Sequence, residues 1–362
     1  MRQPIASLAY VGPFPPIRGG ISQHGGQLVK ALERRGAQVR VVSWRSQYPS
    51  LLYPGTQVDV SPSPSIHFLR WWSVPSWIRS RRYVAGCDYV IFPYVSPFHA
   101  LPLRVILGGA TGSRVAVVHN ASPHERIPLH RLALKWLLTQ VDGVIAHSAS
   151  VASEIMDIDG KTRVSVVPLP PALDVTPAPL PEGPPRLLFF GYVRPYKGVD
   201  LLIRALAQLR RSGTQLELTV AGESWAGASE LVRLSEELGV RDLVDFRFGY
   251  VRDDQVSDLL ASHHLVVQPY RSASQSGVIP LAFAAGRGVV VTPVGGLSEV
   301  VEPYRNGVIA TDVSAEALAA AIAIAIESAS ILSAGALEST TTWGLLARSV
   351  LEVADGKVSP DR

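Results

Sequence analysis

Short apolar runs alternate with amphipathic segments along most of the 362-residue chain. An apolar run at 5–11 is followed by a Gly-Gly loop, a segment at 22–35 with apolar residues at helical spacing, and a second apolar run at 39–43. Runs of this length predict buried strands, and spacings of three and four residues predict helices. A β–α–β start of this kind predicts a doubly wound α/β domain, in which ligands bind at the carboxyl ends of the strands.

The same alternation continues to residue 168 and restarts at residue 186. In the first half, strands are predicted at 88–93, 114–119, 143–147 and 164–168, and a helix at 131–139. In the second half, strands are predicted at 186–190, 216–221, 244–248, 264–269 and 289–292. Helices are predicted there at 199–211, 229–238, 253–262, 315–328 and 342–353, with a further one opening near 276 and ending at Gly286. The fold class predicted is therefore α/β, with two doubly wound, Rossmann-like domains facing a central cleft.

The two halves are joined by residues 168–185, which hold eight of the 28 prolines. A Pro-rich stretch without periodicity predicts a semi-rigid linker. We therefore place an N-terminal domain at 1–175 and a C-terminal domain at 184–335. Residues 336–362 are expected to form a C-terminal helix followed by a flexible tail.

Composition restricts the classes of function. Hydrophobic residues make up 47% of the chain and charged residues 18%, which indicates a well-cored globular protein. The net charge is +4, and the Lys and Arg are dispersed, so anionic substrates or an acidic membrane surface fit better than nucleic acid. The single cysteine, Cys87, excludes an intrachain disulfide. With no signal-like segment and no apolar run of membrane-spanning length, we expect a cytoplasmic protein, peripheral on the inner face of the membrane.

One tract is unusual in holding three Trp and four Arg within residues 68–83. Indole rings favour the headgroup zone and Arg pairs with lipid phosphates, so the tract suits an amphipathic helix at a lipid interface. The alternative is a helix on the acceptor side whose tryptophans pack on the core.

A polar loop at 271–277 separates the apolar run 264–269 from a helix of small residues. Free N–H groups and the positive end of the helix dipole point the same way at such a junction, which favours an anion. We predict a phosphate-bearing ligand at Ser276, Gly277 and Val278. The alternative is a strand–helix turn that only needs a small residue.

Two cations, Arg194 and Lys197, lie in the loop that follows the strand predicted at 186–190. An Arg fork and a Lys point charge are suited to holding a diphosphate. Taken alone they are typical of solvated loop charges. Together with the glycine-bearing loops at 19–20 and 274–278, they favour a diphosphate site.

In the order of its motifs the chain resembles the retaining glycosyltransferases of family 4, which have the GT-B fold. Residues 189–202 resemble that family's "FxGR…KGxDLL" loop, and 276–299 resemble its long signature that ends in a Gly-Gly turn and a glutamate. Gly19-Gly20, His119 and the pair Asn306-Gly307 match further family positions. The likeness covers essentially the whole chain, and the ordered set is specific even though each motif alone is not.

The resemblance implies a retaining transfer from a nucleotide-diphosphate sugar, bound by the C-terminal domain, to a sugar or lipid-linked acceptor bound by the N-terminal domain. It also implies that the end helix crosses back to the N-terminal domain. It assigns catalysis to His119, Arg194 and Lys197. The donor-binding residues expected are Gly19, Gly20, Gly191, Glu223, Tyr250, Ser274, Gln275, Ser276, Gly277 and Val278. The acceptor-binding residues expected are Ser22, His24, Tyr94, His124 and Glu125.

No cofactor and no essential metal are expected, because no Asp-x-Asp motif lies at a predicted strand end. Arg194 and Lys197 would then neutralise the departing diphosphate, which fixed cations can do without reorganising.

The chain also departs from the family pattern. The two signature glutamates fall at Ser274 and Ala282, and the loop arginine falls at Tyr192. In the family the second glutamate binds the ribose of the donor, so Ala282 is expected to weaken the preference for a ribonucleotide. The missing carboxylates leave a non-catalytic GT-B protein that binds nucleotide or glycolipid as the alternative function. A GT-B epimerase competes weakly, since it needs catalytic carboxylates that the sequence does not supply.

Overall fold

The computed structural model describes residues 6–17, 19–46, 66–121, 130–224 and 227–357. The chain divides into two compact units, Met1–Pro168 with Thr342–Arg362, and Leu169–Thr341. Each unit is an α/β structure built on one parallel sheet.

The sheet of the first unit has seven strands in the order β3-β2-β1-β4-β5-β6-β7. Its strands are β1 Ser7–Val11, β2 Gln38–Ser46, β3 His67–Arg70, β4 Tyr89–Tyr94, β5 Ser113–Val118, β6 Gly143–Ala146 and β7 Val164–Val166. Its first five helices are α1 Gly20–Arg34, α2 Val74–Val84, α3 Ala100–Leu107, α4 His130–Leu138 and α5 Ala149–Ile158. Buried apolar clusters lie on both faces of the sheet, which is why its strands are continuous apolar runs.

The sheet of the second unit has six parallel strands in the order β10-β9-β8-β11-β12-β13. The strands are β8 Arg186–Phe190, β9 Glu217–Gly222, β10 Val244–Phe248, β11 Leu265–Gln268, β12 Gly288–Val291 and β13 Gly307–Ile309. The helices are α6 Val199–Arg211, α7 Ala228–Glu237, α8 Val256–Ala261, α9 Val278–Ala284, α10 Ala315–Glu327 and α11 Ala329–Glu338.

The last helix, α12 Trp343–Ala354, belongs to the first unit. Its N-terminus is capped by Thr342, whose side-chain oxygen accepts a hydrogen bond from the amide of Leu345. The buried face of α12 presents Leu346, Val350 and Val353 to the core formed with α1, β5 and β6. This helix therefore covers one face of the first sheet.

The second unit contains a fully buried arginine, Arg287. Its guanidinium donates to five carbonyl oxygens at 2.8–3.1 Å, those of Ala178, Pro179, Leu260, Ala261 and Gly286. Two of these belong to the Pro-rich segment and two to the C-terminal end of α8, where a cation also complements the helix dipole. Arg287 therefore ties the Pro-rich segment to the core of this unit.

The helix predicted over 68–83 is shorter than expected, because Phe68–Arg70 belongs to β3 and α2 begins only at Val74. Within it, Trp77 is buried and its indole N–H donates to the carbonyl of Arg70 at 2.8 Å. Trp72, by contrast, is 56% exposed. The tract therefore combines one tryptophan of the core with one on the surface.

Among the described residues, no single helix is long and apolar enough to cross a bilayer. The consecutive helices α10 and α11 satisfy the length and composition requirements only when taken together, and they are bent by 86° at their junction.

Candidate functional site

In the second unit, β8 and β11 are neighbours at the centre of the sheet, although three helices and two strands separate them in sequence. The chain leaves β8 towards β9 on one side, whereas β11 leads to β12 on the other side. A reversal of this kind opens a crevice at the carboxyl ends of the two strands, where ligands bind in open α/β sheets. The loops at this crevice are 191–198 and 269–277.

Lys197 is placed in this crevice by two glycines. Gly198 has φ +67°, and a Cβ there would lie 1.9 Å from the carbonyl oxygen of Pro269, so only glycine lets the two loops approach this closely. A Cβ at Gly191, which has φ +119°, would lie 3.4 Å from the Lys197 ammonium and 3.8 Å from Cγ2 of Val278. The predicted residues Gly191, Lys197 and Val278 therefore come together.

The Lys197 ammonium is held by one aromatic residue that sequence reasoning missed. Its Nζ donates a hydrogen bond to the Tyr270 hydroxyl at 2.8 Å and lies 4.6 Å from the centre of the Tyr270 ring. Tyr270 is buried and lies two residues after the end of β11. Its only sequence signal was its place at the end of a predicted strand.

An ion pair fixes the Lys197 loop to the loop after β11. The Arg271 guanidinium donates to the two carboxylate oxygens of Asp200 at 2.7 and 2.6 Å and to the carbonyl of Pro195 at 2.9 Å. Burial raises the pKa of Asp200, but the hydrogen bonds and charge of Arg271 outweigh it, so the pKa lies below its usual value. Neither residue was predicted as part of the site, although Asp200 belongs to the family-like motif.

The anion loop differs from its prediction in one respect. The Ser276 hydroxyl donates to Oε1 of Gln268 at 3.1 Å and accepts from the amide of Val278 at 3.2 Å. The Val278 N–H therefore already has an acceptor, and a phosphate would have to displace it. A Cβ at Gly277 would have no described heavy atom within 4 Å, so that position borders open space. The carbonyl of Ser274 accepts from the amide of Gly296 at 3.1 Å, which joins this loop to the Gly-Gly turn.

Arg194 lines a cavity beside the loop that carries Lys197. This cavity has a volume of about 560 Å³, its wall includes Arg204, Glu230 and Arg233 of α6 and α7, and Lys197 is not among its lining residues. The guanidinium carbon of Arg194 is 5.9 Å from the centre of the Tyr192 ring. Of the two cations predicted to share one diphosphate, only Arg194 lines this cavity.

Two further predicted donor residues lie at neighbouring strand ends. Glu223 directly follows β9, and its carbonyl accepts a hydrogen bond from the amide of Val193 at 2.8 Å. Tyr250 follows β10, is exposed, and donates its hydroxyl hydrogen to Asp253 at 3.0 Å.

In the first unit, the structure brings together His119 and His24. His119 directly follows β5, and His24 lies on α1; both are buried, with ring centres 4.7 Å apart. A third buried imidazole, His147, directly follows β6 and lies 5.0 Å from each of them. His147 was not among the predicted site residues, although, like His119, it ends a predicted strand.

The remaining predicted site residues of the first unit differ in how deeply they are buried. Gly19 and Gly20 are exposed at the start of α1, whereas Ser22 is buried, with no hydrogen-bond partner for its oxygen in the described part of the chain. Tyr94, predicted to line the acceptor pocket, is only 1% exposed and packs in the core. Its hydroxyl donates to Nδ1 of His130 at 3.4 Å, because Nε2 of that ring donates to the carbonyl of Ala121. His124 and Glu125 lie outside the described residues.

Two α/β units, each built on one parallel sheet, are the architecture of the GT-B glycosyltransferases, and comparison with known proteins agrees. Residues 18–174 match the family described as Glycosyltransferase Family 4, and residues 175–335 match Glycosyl transferases group 1. The chain belongs to the glycosyltransferases related to family 4.

Individual relatives are distant. The chain is 29% identical over 221 residues to D-inositol 3-phosphate glycosyltransferase from Nocardia farcinica, a match that covers 55% of this chain and 49% of that protein. It is 25% identical over 356 residues to the GDP-mannose-dependent alpha-(1-6)-phosphatidylinositol monomannoside mannosyltransferase of Mycobacterium tuberculosis, covering 87% of this chain and 88% of that one. Several relatives are thus matched over only about half of their length.

Among solved structures, the sucrose-phosphate synthase from Thermosynechococcus elongatus is similar with a TM-score of 0.76 at 18% identity. The likeness covers 97% of this chain and 98% of that one. It confirms the GT-B fold that the sequence predicted.

Proposed function

We propose that this protein is a retaining glycosyltransferase that moves a sugar from a nucleotide-diphosphate donor to a sugar or lipid-linked acceptor. The observation that carries the proposal is the Lys197 ammonium, held by Tyr270 against the backbone of Gly191 at the switch point of the second sheet. When the bond between the sugar and the diphosphate breaks, negative charge develops on the phosphate oxygen. A cation fixed in advance stabilises that charge.

Lys197 is the main cation for the leaving diphosphate in this proposal. The Asp200–Arg271 ion pair positions the loop that carries it. Arg194 is the secondary cation, because it lines a cavity that Lys197 does not line. The amides of Ser276 and Gly277 complete the phosphate contacts, and His119 is assigned to the transferred sugar by the family resemblance.

The proposed transfer requires no metal ion. Lys197 and the loop amides supply the positive charge that a divalent cation would otherwise bring to the diphosphate. The two missing signature glutamates do not remove any of these groups.

The test is a donor panel followed by turnover. Thermal shifts with UDP-, GDP-, TDP- and ADP-sugars identify the donor, and NMR of the product made from it reports the anomeric configuration. We expect a shift with one class of donor and a product that keeps the configuration. A donor that binds but is neither transferred nor hydrolysed would support the non-catalytic alternative, and an inverted product would refute retention.

A lipid-linked acceptor and attachment to the membrane surface are a further part of the proposal. Trp72 and Ile78 are exposed near the basic residues Arg79, Arg81 and Arg82 of α2. The mycobacterial relative is named for a phosphatidylinositol mannoside acceptor. Co-sedimentation with acidic liposomes, weakened by salt and by Trp72→Ser, is expected; binding that ignores lipid charge would refute it.

A further inference from the structure

Three buried imidazoles meet at one end of the first sheet. Because β5 and β6 are adjacent, His119 and His147 follow neighbouring strand ends, and α1 brings His24 across them. One ring nitrogen from each histidine lies within 4.8 Å of the other two. The Trp343 ring at the start of α12 lies 5.0 Å from that of His24 and closes one side of the cluster.

The tautomer of His147 follows from its hydrogen bond. Its Nδ1 lies 2.8 Å from the carbonyl oxygen of Val167, and a carbonyl can only accept, so Nδ1 carries the hydrogen. In the neutral ring Nε2 then holds a lone pair. That Nε2 is buried and has no hydrogen-bond partner among the described residues. An imidazole fixed by a backbone carbonyl with its other nitrogen available is the arrangement of metal-binding histidines.

The second unpartnered ring nitrogen belongs to His24. Its Nε2 is also buried without a hydrogen-bond partner in the described part of the chain. An unpaired buried nitrogen costs free energy that a bound cation would recover.

We propose that His24, His119 and His147 form a binding site for a divalent transition-metal ion, with Zn²⁺ as the ion that their chemistry fits. Three imidazole ligands and one open position are a recurring zinc arrangement. Tetrahedral zinc with bonds of about 2.0–2.1 Å places its ligand nitrogens roughly 3.3 Å apart. The three ring nitrogens lie within 4.8 Å of one another, so the most distant pair would have to approach by up to about 1.5 Å. Rotation of the rings and a small approach of α1 to the strand ends would supply this.

The site is distinct from the diphosphate site of the second unit, so metal-independent transfer is not in conflict with it. The expected consequence rests on the proposed role of His119 at the transferred sugar. Zn²⁺ would occupy the His119 nitrogen that the sugar contacts, so it should inhibit transfer. Zinc binding itself does not depend on that role.

The experiment measures binding directly. The full chain, without a polyhistidine tag and stripped of metal, is titrated with Zn²⁺ in competition with a chromophoric zinc indicator. One ion per chain is expected. His147→Gln should weaken binding at least about a hundredfold, since even loss of groups that only orient a ligand costs ten- to a hundredfold. The matched control is His264→Gln, a histidine of the second unit whose Nδ1 accepts from the amide of Arg186 and whose replacement should change nothing.

Absence of stoichiometric binding by the wild-type chain overturns the proposal, as does an equal effect of the two substitutions. If His147→Gln does not fold, Co²⁺ binding to the wild-type chain decides, because ligation by imidazole gives an intense visible spectrum only when the coordination is four- or five-fold. A weak visible spectrum, typical of the hydrated Co²⁺ ion, would refute the site. Failure of the proposed transferase function would show in the donor panel and would leave the zinc titration unchanged.

Discussion

Replacing Lys197 with Met removes the cation from the candidate diphosphate site while keeping a side chain of similar length. The ammonium is half-buried, hydrogen-bonded to Tyr270, and close to the backbone of Gly191. A preorganised contact to charge that develops in the transition state is worth about 3–4 kcal/mol, so kcat/KM should fall about a hundred- to a thousandfold. The fold should survive, because the substitution leaves only the Tyr270 hydroxyl without its donor, at about 1 kcal/mol.

The structure makes a second part of this prediction specific to Tyr270. Tyr270→Phe keeps the ring beneath the ammonium and removes only the hydroxyl that accepts from Nζ. Loss of one hydrogen bond to a charged group should cost about 1.5 kcal/mol, or roughly tenfold in kcat/KM. In the Lys197→Met background the same substitution should have no further effect, because the hydroxyl acts only through the ammonium.

The assay is initial-rate transfer with the donor found in the panel, for both single variants and the double variant. Thermal melting of each variant checks the fold, and Lys161→Met, at an exposed lysine of the first unit, is the control for loss of a positive charge. Turnover by Lys197→Met within tenfold of wild type would show that Lys197 does not face the diphosphate. Equal costs of Tyr270→Phe in the two backgrounds would show that Tyr270 does not position Lys197.

Four further results are expected. Arg287→Met should lower the free energy of unfolding by about 3–5 kcal/mol in a denaturant titration, because it leaves buried carbonyls unpaired, and a cost under about 1 kcal/mol would contradict this. His263 donates to the carbonyl of Leu259 and accepts from Thr219, and burial lowers its pKa to about 4. Since its pKa in the unfolded chain is about 6.5, the unfolded state binds more protons between these values, so stability is full above about pH 6.5 and falls by up to about 3 kcal/mol towards pH 4. His263→Gln should make that slope smaller by the contribution of His263, and an unchanged slope would refute the assignment. Activity should survive EDTA; a loss that Mg²⁺ or Mn²⁺ restores would refute the metal-free proposal. Calorimetry should show UDP and TDP binding within about a hundredfold of each other, since Ala282 cannot accept a hydrogen bond from the ribose, whereas a larger UDP preference would mean that another residue has rebuilt the contact.

The sequence by itself determined the fold class, because strands buried on both faces must be continuous apolar runs and their helices must show helical spacing. It failed where that signal is absent. The helix α3, Ala100–Leu107, is almost entirely apolar and contains Pro102, so no period separates it from a buried strand. The strand β3 was hidden because its residues adjoin a tract rich in Trp and Arg that favours a helix.

The family resemblance also predicted the neighbourhood of Gly191, Lys197 and Val278, because its motifs assign all three to one diphosphate site. The partners of these residues needed the tertiary structure. Arg271 is 71 residues from Asp200, and Tyr270 is 73 residues from Lys197; both pairs form only because β8 and β11 are adjacent in the sheet. The histidine cluster arises in the same way, from the adjacency of β5 and β6 and the crossing of α1. Periodicity reports the backbone conformation of each segment, whereas side chains that meet across strand ends depend on the order of strands in the sheet, which no local pattern encodes.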